Sequence, residues 1–356
     1  MNITFFIGNG FDIGMGINSK FKDFFPIYQA QSLEKEDRIR MLSENIGSDY
    51  DTWSDFETAL GKYTSKFDMD NKQDFIDQVK DFERDFIEYL KVQESMLSFS
   101  NTKEISNTMV KALTQYYYNG NLPVESANVF SKIYTSHNRE NHNYYFINFN
   151  YTQTLKKCIS TLENNIVSKR KYGNSAECVD RIIKIVDIHG QIGLNPIIGV
   201  NDTEQIENKT LAKDRRFTRY IVKPTLNQLL RNGNDAAAEE VIAQSNIICI
   251  YGMSLGATDK KWWNAILVWL SKSTERQLVF FDYDKNYSTA DQFGRLEKED
   301  SLIDKLVKYN ISTNVDVEAL RPRIHIAINK NIFEMDLAKE QRELYDRAIE
   351  ALIAKV

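Results

Sequence analysis

An α/β fold with a mostly parallel sheet, carrying a helical insertion, follows from three features of the sequence. Short β-branched and aromatic runs alternate with segments of helical period along most of the chain. Most of those runs stop abruptly at a glycine or a polar residue, as buried parallel strands do on entering a turn. Between residues 33 and 118 the texture changes: charges are dense, glycine is sparse, and apolar residues recur at helical spacing. The 356 residues suffice for one large domain or two ordinary ones, and 42% hydrophobic content supplies a core.

The elements follow in order. Residues 2–7 (Asn-Ile-Thr-Phe-Phe-Ile) read as a buried strand ending at Gly8-Asn9-Gly10. Phe21, Phe24, Phe25 and Tyr28 predict a helix over 17–31, broken or kinked at Pro26. Residues 33–118 read as at least three helices; Phe75, Val79, Phe82, Phe86, Ile87 and Leu90 form one apolar stripe. No Pro/Gly linker bounds this segment, so it is expected as a subdomain packed on a core made of 1–32 and 119–356. Strands are then expected at 144–148, 182–188, 196–200, 246–251, 277–281 and 323–328. Helices are expected at 152–162, 260–271, 301–309 and 337–355; the second carries Trp262, Trp263 and Trp269 as core or interface packing.

Composition narrows the function. Against 45 Lys and Arg stand 50 Asp and Glu, a net charge of −5, which argues against a globally basic nucleic-acid binder and leaves room only for a local basic groove. Two basic stretches, Lys169-Arg170-Lys171 and Arg215-Arg216-Phe217 with Arg219, are compatible with contact to nucleic acid or read as solvated loops, and the net charge favours loops. Three cysteines, Cys158, Cys178 and Cys249, have no CxxC spacing; this excludes a four-Cys zinc site and points to a reducing compartment. No apolar run approaches the ~18 residues of a membrane helix, and the first eight residues lack the marks of a signal peptide. A cytoplasmic protein without a membrane partner and without a metal is expected.

In sheets of this kind ligands bind beyond the carboxyl ends of the strands. Five predicted strand ends are polar or glycine-rich: Gly8-Asn9-Gly10-Phe11-Asp12, Asn148-Phe149-Asn150-Tyr151-Thr152, His189-Gly190, Gly252-Met253-Ser254-Leu255 and Asp282. Gly8 and Gly10 would let a backbone with exposed N–H groups approach a pyrophosphate. The next glycine, Gly14, comes four positions after Gly10 where the dinucleotide fingerprint needs three, so a ligand-free tight turn fits equally. His189 follows an apolar strand and suits a general base at the rim, or a structural histidine bonded to a carbonyl. Asn148 and Asn150 point to one side by alternation, and their amides suit a ribose hydroxyl or a turn. Asp12 is a candidate carboxylate. Glu57 is another, or else the partner of Ser54 in a capping box.

Together the segments Ile7-Gly8-Asn9-Gly10-Phe11-Asp12, Trp53-Ser54-Asp55-Phe56-Glu57, Asn148-Phe149-Asn150-Tyr151-Thr152, Ile188-His189-Gly190 and Tyr251-Gly252-Met253-Ser254-Leu255-Gly256, followed by Asp259, resemble the AbiH family of bacterial phage abortive-infection proteins. Where typical members carry two further histidines, this chain has Met15 and Met253. More distantly the order is similar to the SIR2-like (sirtuin) NAD-binding fold, a Rossmann-like sheet. That resemblance implies that Asn150 contacts the nicotinamide ribose and that His189 is the catalytic base. It aligns Gly252-Met253-Ser254 with a nucleotide-binding stretch and implies that Asp282 lies near the adenosine ribose. The sirtuin Pro-Asp-Phe-Arg is replaced by Asn18-Ser19-Lys20-Phe21 and the zinc cysteines are absent, so protein deacetylation is not implied.

The resemblance therefore implies an anti-phage effector that cleaves NAD, or a related nucleotide, at its glycosidic bond. Residues 8–12 would anchor the ligand and the helical insertion would serve as lid, assembly surface or trigger sensor. A nucleotide sensor without turnover is the alternative, and a nuclease or RNA-targeting toxin a third. A nucleotide is the expected ligand, with a homo-oligomer or another defence protein as the expected partner.

Overall fold

A computed structural model describes residues 1–338 apart from 119, 173–175, 289–292 and 313. Among these, seven strands form one sheet: β1 (Asn2–Ile7), β2 (Asn143–Asn148), β3 (Ile166–Tyr172), β4 (Ala176–Asp187), β5 (Ile247–Tyr251), β6 (Gln277–Asp282) and β7 (Ile324–Ile328). The order is β3-β4-β2-β1-β5-β6-β7, and every neighbouring pair is parallel except the β3–β4 hairpin. Without β3, the parallel strands run third, second, first, fourth, fifth, sixth in chain order. The connections reverse direction between β1 and β5, and a crevice opens beyond the carboxyl ends at such a reversal.

Alternation along β1 explains its central place. Phe5 pairs in register with Phe146 and Cys249 on one face; Phe6 pairs with Ile147 and Ile250 on the other. The first face is covered by helices Thr102–Gln115, Val124–Ser136 and Thr154–Ser160, which contribute Met109, Leu113, Phe130 and Leu155. The second is covered by helices Asn234–Gln244, Lys260–Ser271 and Gly294–Tyr309, which contribute Val241, Trp263, Ile266 and Leu306. The tryptophans of residues 260–271 are thus core, each buried.

A third apolar cluster forms a cap. Helices Phe21–Ser32, Asp37–Ser48, Phe56–Tyr63 and Lys72–Ser95 pack together and against residues between 192 and 222. Phe82, from the predicted stripe, stacks on Phe56 with ring centroids 4.4 Å apart and meets Tyr28 edge-on at 5.0 Å. Segment 33–118 thus divides, its last helix lying on the sheet while the others join the cap. Helix Phe21–Ser32 runs through Pro26. Proline removes the N–H that would bond the carbonyl four residues back, and the Tyr50 hydroxyl donates to that carbonyl, Lys22 O, at 2.6 Å.

Three expectations need correction. Residues 196–200 are not a strand: Val200 makes only an isolated bridge to Val222, and Ile198 and Val200 turn their side chains into the cap. Lys169-Arg170-Lys171 is not a loop but part of edge strand β3, where Arg170 pairs with Asp180 at 2.8 Å. Arg215-Arg216-Phe217 lies in helix Arg215–Ile221, with Phe217 buried in the cap's core. The helix expected at 337–355 lies, beyond its first two residues, outside the described residues.

Candidate functional site

Four strand ends and the cap enclose one cavity of about 370 Å³. Gly8, Asn9 and Asp12 come from the end of β1, residues 149–152 from β2, His189 from β4, and Gly252, Ser254 and Asp259 from β5. Phe21, Phe56, Glu57 and Phe86 close it from the cap.

The glycines permit backbone to meet backbone. Gly8 N–H donates to Tyr251 O at 2.9 Å and Gly10 N–H to Gly252 O at 2.8 Å. Gly252 has φ +70, a left-handed conformation that favours glycine. The expectation that Gly8 and Gly10 expose donors to a pyrophosphate is therefore corrected, because carbonyls of the β5 turn already take both. A Cβ on Gly10 would stand 2.5 Å from Gly252 Cα. Gly10→Ala is expected to cost about 1–3 kcal/mol by overpacking, read as a lower urea midpoint at unchanged slope. An unchanged midpoint would mean that the two turns can part freely.

Asp12 sits in the short helix Asn9–Gly14, 1% exposed. Thr152 Oγ1 donates to its Oδ2 at 2.7 Å, and the Asn150 amide lies beside the same carboxyl. Burial raises its pKa to about 7; the Thr152 bond opposes that shift and Glu94 adds to it. Asp259, half-buried, is also raised to about 7, first by burial and then by the charge of Glu57. Two carboxyls on one cavity thus exchange protons near neutrality.

Asn150 lines the cavity and donates through Nδ2 to Gly8 O at 3.1 Å. Asn148 does not line it. Its Nδ2 donates to Asp187 at 3.0 Å and its Oδ1 accepts the Asn150 N–H at 3.2 Å, so it braces the turn that carries Asn150.

His189 is 8% exposed, stacked at 5.8 Å on Tyr151 and edge-on at 5.5 Å to Phe149. Its ring bonds the Phe149 backbone, and Nε2 lies 3.5 Å from Lys223 Nζ. A lysine ammonium only donates, so Nε2 accepts and its lone pair is occupied. Burial, then the Lys223 charge, holds the imidazole well below its usual pKa. Lys223 is 2% exposed and forms an ion pair with Glu57. Glu57 also accepts from Asn201 Nδ2 at 3.1 Å. Asp55, not Ser54, caps helix Phe56–Tyr63 by accepting the Thr58 N–H at 3.1 Å, which corrects the capping-box reading of Glu57.

Phe11 and Asp282 lie elsewhere. Phe11 is core, edge-on to Phe333 at 5.2 Å, and Asp282 pairs with Lys298 at 3.2 Å. Gly10 shapes the turn without lining the cavity. Sequence reasoning gave no role to Lys223, Thr152 or Asp259. A charge set between Val222 and Pro224 was the available signal for Lys223. Among the described residues no group of three or more His, Cys, Asp or Glu is placed to hold a metal ion. Also among them, no helix is long and apolar enough to cross a membrane.

Fold and site define a doubly wound α/β protein with a capped, acidic cavity at its switch point. The chain belongs to the bacteriophage abortive infection AbiH family, which it matches over residues 4–282. Membership assigns it to abortive-infection defence against phage. No curated protein and no solved structure matches it.

Proposed function

We propose that this AbiH protein acts in abortive infection by hydrolysing NAD, or a related nucleotide, at the N-glycosidic bond, on a Rossmann-like, SIR2-like core. The observation that carries this reading is the pair Asp12 and Asp259, both near pKa 7, bordering one cavity with Asn150. Departure of the base leaves an oxocarbenium-like ribose, which a carboxylate stabilises while a second carboxyl activates water. Asn150, held by Gly8, orients the sugar. The parallel strand order, with its reversal above β1 and β5, is that of dinucleotide-binding sheets. His189 serves better as a positioned wall than as the proton acceptor, since its lone pair faces Lys223.

The occupied His189 also favours a second reading, in which the same cavity binds a nucleotide without turnover. Cells expressing the chain, challenged with phage, separate the two. Hydrolysis predicts loss of NAD and release of free nicotinamide in wild type, reduced about 10²-fold or more in rate by Asp259→Asn, and also reduced by Asn150→Ala. An abortive response with every nicotinamide and adenine nucleotide intact ends the hydrolytic reading.

A further inference from the structure

The cavity's charge and its aromatic content point to a narrower ligand class. Four carboxyls border it: Asp12, Asp55, Glu57 and Asp259. Among the described residues no lysine or arginine does. The nearest buried cation, Lys223, is already paired with Glu57, while Asp12, Asp55 and Asp259 have no ion-pair partner among the described residues.

Aromatic rings form one side of the wall, the cap side. Phe21 stacks between Phe56 at 4.4 Å and Phe86 at 4.6 Å, and Tyr151 meets Phe86 edge-on at 6.1 Å. Carboxylates attract a cation and repel phosphate, and a wall of rings suits a flat aromatic base. The Gly8 N–H, which could offset this, is spent on the Tyr251 carbonyl. Asp12 is buried at the cavity wall, and a bound positive charge would favour its ionised form.

We infer that the cavity receives a ribosylated base with a fixed positive charge, a pyridinium riboside, and that any phosphates of the ligand lie outside it. This rests on the glycosidic reading above and names the part of the nucleotide the site holds. It makes the positive charge the main recognition element: the charge sits among rings and carboxylates while bound, and is lost when the base leaves. A neutral product is then held less well than the cation that entered.

Calorimetry on the full chain tests this with three uncleavable probes. The first is carbocyclic nicotinamide riboside, whose ring lacks the oxygen that lets the base depart. The second is its 1,4-dihydro form, of similar shape and neutral. The third is the 5′-phosphate of the first. The cation is expected to bind about tenfold or more tighter than the dihydro form, a difference of about 1.4 kcal/mol, and the phosphate is expected to bring no gain. Equal affinity of the first two, a tenfold gain from the phosphate, or no binding by any probe overturns the inference. NAD turnover, assayed separately, judges the hydrolytic reading: charge-selective binding without turnover sinks hydrolysis alone, and turnover with charge-blind binding sinks the inference alone.

Discussion

Asp12→Asn is expected to stabilise the protein in alkaline solution while suppressing turnover. Burial lifts the Asp12 pKa from an ordinary 3.8 to about 7. Between those values the folded chain holds a proton that the unfolded chain has released. Stability therefore falls as pH rises through that window, and the cost is complete above about pH 7. A displacement of this size makes the buried charge cost roughly 4 kcal/mol. Asparagine carries no charge and keeps an oxygen for the Thr152 hydroxyl. Urea unfolding of wild type and variant should nearly coincide at pH 4 and diverge by up to roughly 3–4 kcal/mol at pH 8.5, the variant being the more stable. If the proposed hydrolysis holds, release of nicotinamide should fall about 10²-fold or more. Gain of stability with loss of activity marks a group kept for chemistry at a cost in folding. Equal destabilisation at both pH values would make Asp12 a structural residue only.

Lys223→Met is expected to lower stability by about 3 kcal/mol, because removing one member of a buried pair leaves the other charge uncompensated. The Glu57 side chain, 16% exposed, recovers some hydration, whereas Lys223 is only 2% exposed. Glu57→Gln strands the lysine and should cost at least as much. The double variant should regain most of either loss, since two neutral groups leave no orphan charge. A double-mutant cycle by urea unfolding should give a coupling of about 2 kcal/mol or more; coupling near zero would remove the pair from the account of the site. Lys223→Met also strips His189 of its neighbouring cation, so the imidazole pKa followed by NMR should rise.

Buried β-strands announce themselves through composition, and that is why β1, β2, β5, β6 and β7 could be read directly. Their apolar runs lie inside the sheet, flanked on both faces. Residues 196–200 carry the same composition but fill the cap, and a short apolar run does not say which core it joins. The opposite failure hid β3, a polar edge strand whose Arg170 needs Asp180 from the neighbouring strand to become intelligible. At the site, glycines and asparagines after apolar runs marked which turns would gather. What those residues do there depends on partners far away in the chain: Gly10 on Gly252, Asn148 on Asp187, Glu57 on Lys223. Asp282 ends a strand in the same way as the others, yet β6 lies beyond β5 from the switch point and its carboxylate meets Lys298.

The central position of β1 has a consequence for biosynthesis. Its partners are β2, about 140 residues later, and β5, about 240 residues later. At about 5–20 residues per second of synthesis, the nascent Phe5 and Phe6 wait roughly 10–50 s for the second of these neighbours. Until then at least one edge of this apolar strand stays unpaired, a natural client for holding chaperones. The crevice cannot exist before Gly252 and Asp259 have emerged, so translation itself times the appearance of the site.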